Sequence, residues 1–375
     1  MRLNDAPRAP RKFAHEENCI RYIPELDGLR AFAIGLVLLV HANFGFSSPL
    51  LETWRTWGWL GVDLFFVISG YLITSILVAS KEQPNYYRNF YARRGLRIWP
   101  LYYLLLFYVF VLSPHMGPWF DQHIDFATYK WQYYVFYVQN LILNHLGSFC
   151  LVITWSLCVE EQFYMVWPFF VRLFSRRVLI GILVAVVLAG TPFRMLLHHL
   201  GTSMGFFFTF ARLDPIAVGA LVALRPKWFK YTWVAAPWAY WLLHNREFEF
   251  VYLALALTFG SIVSYAVTHQ NGFLASSPLR YIGRISYGIY IWHPLVFSLY
   301  WATPLYRIPA HFGYTKGIYH LVMQCALTIP VAALSWKYIE QPILKLKRYF
   351  ENRVSPDLTV RHPAPVPQPA AALGD

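Results

Sequence analysis

Ile34-Gly35-Leu36-Val37-Leu38-Leu39-Val40-His41 is an unbroken apolar run that ends on an imidazole. It does not alternate apolar with polar residues, so it reads as helix rather than as a strand with one wet face. Comparable runs further along the chain hold Glu160, Asp214 and His293. Many are long enough to cross about 30 Å of hydrocarbon as helix. Composition agrees, with 57% of residues hydrophobic, 19% aromatic and 14% charged, where soluble domains carry roughly 25% charged residues. Continuous runs also argue against an outer-membrane barrel. The sequence therefore predicts an all-α polytopic membrane protein embedded in a lipid bilayer. An ionisable side chain at bilayer depth is costly, so such residues face a bundle interior and mark a functional path.

Apolar runs at residues 29–46, 59–79, 99–112, 155–174, 178–197, 206–224, 231–243, 248–268, 286–302 and 318–339 are read as spans. Residues 131–146 are ambiguous, being aromatic but interrupted by Gln132, Gln139 and Asn140. Basic residues collect in cytoplasmic loops and decide orientation. With the N-terminus inside, the loop carrying Lys81, Arg88, Arg93, Arg94 and Arg97 is also inside. The later groups (Arg172/Arg176/Arg177, Arg225/Lys227/Lys230, Arg280/Arg284, Lys345/Lys347/Arg348) join it if residues 131–146 do not cross. That choice gives about ten transmembrane helices with N- and C-termini cytoplasmic, and leaves 131–146 re-entrant or along the outer interface. Residues 1–20 then form a basic cytoplasmic segment without the marks of a cleavable signal peptide. Residues 21–348 form the transmembrane domain, and 349–375 a Pro/Ala-rich disordered cytoplasmic tail.

The formal net charge of +13 belongs to these loops, so no nucleic acid is expected as a partner. Cys19, Cys150, Cys158 and Cys325 show no metal-ligand spacing, and no metal is expected. Spacing alone does not fix a Cys150–Cys158 bridge.

At 1.5 Å of rise per residue, His41 lies roughly 16 Å from Arg30, Asp214 roughly 16 Å from Arg225 and His293 roughly 14 Å from Arg284. Ser69 comes out about 18 Å from Lys81, and Glu160 higher, roughly 24 Å from Arg176. Polar groups on several spans thus converge near the bilayer midplane. Each also has a plainer role. His41 can be an interhelical hydrogen-bonding group, and Asp214 can pair with Arg212 or cap a helix broken at Pro215. His293 can donate to a carbonyl freed by Pro294. The adjacent Glu160 and Glu161 cannot share a helix face, so one must turn inward and require a partner.

The stretch Phe90-Tyr91-Ala92-Arg93-Arg94-Gly95-Leu96-Arg97-Ile98-Trp99-Pro100 sets Arg94 and Arg97 on one helical face at the membrane surface. Their forks suit a phosphorylated ligand, though this stretch taken alone favours a lipid headgroup anchor.

Ile23-Pro24-Glu25-Leu26-Asp27-Gly28-Leu29-Arg30-Ala31-Phe32-Ala33-Ile34, followed by His41, resembles the opening of the acyltransferase-3 family of integral membrane O-acyltransferases. Further matches are Gly61 to Ile73, Phe90 to Pro100, Trp155-Ser156-Leu157-Cys158-Val159-Glu160-Glu161-Gln162-Phe163-Tyr164, and Arg212-Leu213-Asp214 through Gly219. Ile285 to Pro294, including Trp292-His293-Pro294, and Glu340-Gln341-Pro342 complete the series. The resemblance implies a multi-pass protein of the inner (plasma) membrane, similar to O-antigen, Nod-factor and exopolysaccharide acetylases. It implies transfer of an acyl group, most often acetyl, from cytoplasmic acyl-CoA to a hydroxyl of a carbohydrate or glycolipid acceptor. Acyl-CoA (acetyl-CoA) is then a co-substrate, with no cofactor bound. The family's essential histidine corresponds to His41, its arginine pair to Arg94 and Arg97, and its glutamate motif to Glu160. Some relatives carry an extra C-terminal SGNH-type domain; the expectation here is that the membrane domain itself serves the acceptor.

On that basis CoA phosphates are expected on Arg94 and Arg97, with Arg30 and Arg93 nearby. A pantetheine arm of on the order of 15–20 Å brings the thioester to His41. Neutral His41 acts as general base or as a transient acyl carrier. Glu160 or Asp214 fixes its tautomer, and Ser69 and Tyr164 are possible donors to an oxyanion. Asp27 and His293 are supporting candidates. The competing reading is a proton-coupled transporter or flippase of a lipid-linked glycan with His41, Glu160 and Asp214 as relay. The arginine pair and the lack of an inverted repeat favour the enzyme.

Overall fold

The computed structural model describes residues 22–42, 49–115, 130–142, 149–201, 206–245, 248–308 and 317–350. The basic N-terminal segment lies outside the described residues, as does the Pro/Ala-rich tail except Tyr349 and Phe350, which end the 3₁₀ helix Lys345–Phe350. Those described are helical, without a strand among them. The principal helices are α1 (Pro24–Val40), α2 (Leu60–Ala79), α3 (Tyr86–Phe107), α4 (Trp155–Leu173), α5 (Arg176–His199), α6 (Leu213–Leu224), α7 (Phe248–Thr268), α8 (Ser277–Ala302) and α9 (Gly317–Ser335). α3 runs on through a π turn at Tyr108–Leu112, and α9 through another at Trp336–Glu340.

Five stretches are long and apolar enough to cross a membrane: Leu60–Ala79, Tyr86–His115, Arg176–His199, Glu249–Thr268 and Gly317–Phe350. The helices that bear the polar residues fall short of that measure. α1 has 17 residues, α4 carries Glu160, Glu161 and Arg172, and α8 interleaves Tyr287, Tyr290, Trp292 and His293. Such helices need the surrounding bundle to cover them.

Two of the expected spans are shorter. Of residues 206–224, α6 takes only 12. The preceding backbone departs from the α-helix because side chains take its carbonyls. Asn140 Nδ2 donates to Phe207 O at 3.1 Å, and Arg194 Nη1 to Ala211 O at 2.7 Å. Irregular backbone at membrane depth is tolerated when protein covers it in this way. Of residues 231–243, a 3₁₀ turn takes Thr232–Ala235, and the helix Ala236–His244 has 9 residues. The described part of the ambiguous run, residues 131–142, holds two helices, Trp131–Val135 and Gln139–Ile142, separated around Tyr137 at φ 54°, and residues 143–146 lie outside the described residues. At 5 and 4 described residues both are far shorter than a bilayer-spanning helix. Gln139 and Asn140, which made the run ambiguous, pin it to Thr154 at 2.9 Å and Thr209 at 2.8 Å.

Lipid offers no hydrophobic drive between helices, so close backbone approach decides their packing. A Cβ at Gly70 would collide with Ile216 O, and one at Gly219 with Val67 O. α2 and α6 thus touch backbone to backbone in both directions. Gly283 of α8 packs likewise on the Asp27 carbonyl of α1. α1 and α8 run side by side from there to the histidines.

Candidate active site

Arg30 of α1, Arg94 and Arg97 of α3, and Glu160 and Tyr164 of α4 line one pocket, together with Ser69, Ser156, Tyr287 and Tyr290. Each cation is held. Arg30 Nη1 donates to Asp27 Oδ1 at 3.0 Å, and Tyr22 Oη to the other Asp27 oxygen at 2.6 Å. The Arg94 guanidinium lies 5.7 Å from the Tyr164 ring centroid, and that of Arg97 5.7 Å from Trp336. Arg93, a step round the helix, is exposed and is not among the lining residues. The glutamates diverge as their adjacency requires. Glu160 accepts from Ser69 Oγ on α2 at 2.6 Å, and Glu161 from Trp99 Nε1 on α3 at 3.3 Å.

The far end of the pocket is tied to a pair of imidazoles through Tyr290. Its hydroxyl donates to Ile153 O at 2.6 Å and accepts from Ser156 Oγ at 2.7 Å. Its carbonyl has lost the usual helical donor, because residue 294 is proline. His293 Nδ1, 2.8 Å away, takes that donor's place. A carbonyl only accepts, so the proton is on Nδ1 and His293 Nε2 carries the lone pair. His41 Nδ1 lies 3.0 Å from that Nε2 and must donate to it. The rings stack with centroids 5.0 Å apart, His293 fully buried and His41 partly so. The chain Tyr290 O, His293, His41 therefore leaves the lone pair of His41 on Nε2.

Asp214 is engaged elsewhere. Its two oxygens receive the Arg194 fork at 3.1 and 3.0 Å. Arg194 also donates to Thr191 Oγ1, Ala211 O and Glu249 O. Beside it Arg212 pairs with Asp63 and lies 4.2 Å from the Tyr252 ring centroid. All four charged side chains are buried. Of the groups expected to orient His41, Glu160 is bonded to Ser69 and Asp214 to Arg194, while His293 lies against the His41 ring. Asp214 pairs with Arg194 rather than with its neighbour Arg212, whose fork turns to α2. Sequence reading missed Arg194 as a partner; an arginine inside the run 178–197 was the available signal. Cys150, Cys158 and Cys325 are free thiols, and no metal-binding cluster occurs among the described residues.

The model of an acyltransferase domain, that of the acyltransferase-3 family, matches residues 23–337, and the chain belongs to this family. It is 29% identical to the peptidoglycan O-acetyltransferase OatA of Listeria monocytogenes serovar 1/2a, over 87% of this chain and 56% of that protein. It is 33% identical to YrhL of Bacillus subtilis, over 91% of this chain and 58% of that one. Against the O-acetyltransferase OatA of Staphylococcus aureus the identity is 28%, over 87% and 58%. The chain thus spans less than two thirds of the length of these relatives. No solved structure matches it.

Proposed function

We propose that this chain is a membrane-embedded O-acyltransferase that moves an acetyl group from cytoplasmic acetyl-CoA to a hydroxyl of a cell-envelope glycan. The observation that carries the reading is one continuous arrangement: three arginines line a pocket that also reaches Tyr290, whose carbonyl holds His293 and, through it, His41. Names of similar proteins point to a glycan acceptor. The arginines hold the donor's phosphates at the cytoplasmic mouth, which sets both chain ends inside and gives about ten crossings. Glu160 balances their charge and holds Ser69.

His41 Nε2 takes the proton as the acceptor oxygen attacks the thioester carbonyl. A C–O bond forms, the C–S bond breaks, and the proton passes to the departing thiolate. Asp214 serves the bundle rather than the proton. The family match and the arginine-lined pocket favour transfer chemistry over the transporter reading. Thiol release from acetyl-CoA by membranes carrying the protein tests this. His41→Ala is expected to lower acceptor-dependent release by about 10²–10⁴-fold; unchanged release would refute the assignment.

A further inference from the structure

Polar groups on the seam between α8 and α9 have no part in the mechanism above. The helices are antiparallel, and two contacts fix their register. Gly288 faces Ala332, whose methyl would lie 3.5 Å from a Cβ there. Tyr300 Oη is 2.7 Å from His320 Nδ1. Both contacts belong to one register, which sets Thr328 opposite Trp292 and Gln324 opposite Val296. Gln324 is therefore about one turn beyond His293, on the side away from the arginines.

His320, Gln324 and Thr328 recur every fourth residue and share a face of α9. Gln324 and Thr328 have 0% exposure. Yet neither amide atom of Gln324 has a hydrogen-bond partner among the described residues, and neither does the buried Nε1 of Trp292. An unpaired carboxamide inside a membrane protein is unfavourable and calls for something to satisfy it. Two donors and one acceptor fit an alcohol, which both gives and takes a hydrogen bond. A phosphate or carboxylate would face the amide oxygen unpaired, and an alkyl chain would satisfy nothing. At the end of the seam His320 is partly exposed. There the rings of Trp301 and His320 lie 5.1 Å apart, and those of Trp301 and Tyr306 5.8 Å. These partly exposed rings, each an apolar body with a polar tip, form an aromatic cluster at the mouth of the seam.

We propose that this seam is the acceptor subsite: a glycan enters beside the aromatic cluster and extends a hydroxyl past Gln324 to the His41–His293 pair. The proposal rests on the acyl-transfer reading. The test uses the full chain in proteoliposomes, with acetyl-CoA and a pentamer of N-acetylglucosamine as probe. Gln324→Leu removes the amide at nearly constant volume and breaks no side-chain hydrogen bond, so thermal stability should hold or rise. Expected is an increase of at least about tenfold in KM for the pentamer, with KM for acetyl-CoA and its hydrolysis without sugar unchanged. Binding is followed separately as slowed maleimide labelling of Leu305→Cys in the presence of pentamer, an effect that Gln324→Leu should abolish. An unaltered sugar KM, or a pentamer that neither accepts acetyl nor protects Cys at 305, overturns the subsite. Protection that depends on Gln324 without any thiol release would keep the subsite and refute the transfer reading instead.

Discussion

An imidazole works as a base only through the nitrogen that its hydrogen bonds leave with a lone pair, and here a proline makes that choice. Pro294 withholds a donor from Tyr290 O, His293 supplies it, and His41 is set in turn. Pro294→Ala returns an N–H to that carbonyl and competes with His293. The expected result is a kcat lowered about tenfold with KM for both substrates unchanged, and ¹⁵N imidazole shifts that show mixed tautomers at residue 41. Arg94→Ala and Arg97→Ala should instead raise KM for acetyl-CoA more than KM for the acceptor; equal effects would reduce them to surface anchors. The His293–Pro294 coupling could be read from adjacent letters, as could the arginine spacing and the divergence of Glu160 from Glu161. The partner of Asp214 could not. Arg194 is twenty residues away on another helix, and only the packing of α5 on α6 brings the fork to the carboxylate.

Among elements, the contact of α2 with α6 bears most directly on the pocket, because α2 brings Ser69 to Glu160. Gly219→Ala places a methyl against the Val67 carbonyl. A melting measurement in detergent should show about 1–3 kcal/mol lost, with weaker donor binding as Ser69 withdraws. The buried pair on α5 and α6 gives a second test. Removing Arg194 alone leaves Asp214 charged and unpaired, at a cost of about 3–5 kcal/mol. The double change Arg194→Met with Asp214→Leu should recover most of that stability and retain thiol release. Loss of release in a stable double variant would return Asp214 to the chemistry. Apolar runs announced most of the long helices. They overstated residues 206–224, because hydropathy does not register carbonyls taken by Asn140 and Arg194.

At the scale of the molecule, the proposed donor and acceptor routes approach the histidine pair from opposite sides of the membrane, which makes sidedness a prediction. Glu82→Cys, at an exposed position beside Arg172 in the turn that leads into α3, should react with an impermeant maleimide only after the membrane is opened. Leu305→Cys should react in intact cells. The reverse pattern would place the pocket on the wrong side for a cytosolic donor. Charge bias in the loops predicts this sidedness from the sequence. The number of crossings is less so, since α1, α4 and α8 are too short or too polar to declare themselves. That weakness has a consequence for biogenesis. Segments so poorly suited to lipid settle in the membrane only in the company of α2, α6 and their neighbours, so the reactive imidazole is assembled at the moment it is sheltered. A nascent chain then carries no half-built imidazole pair into the bilayer.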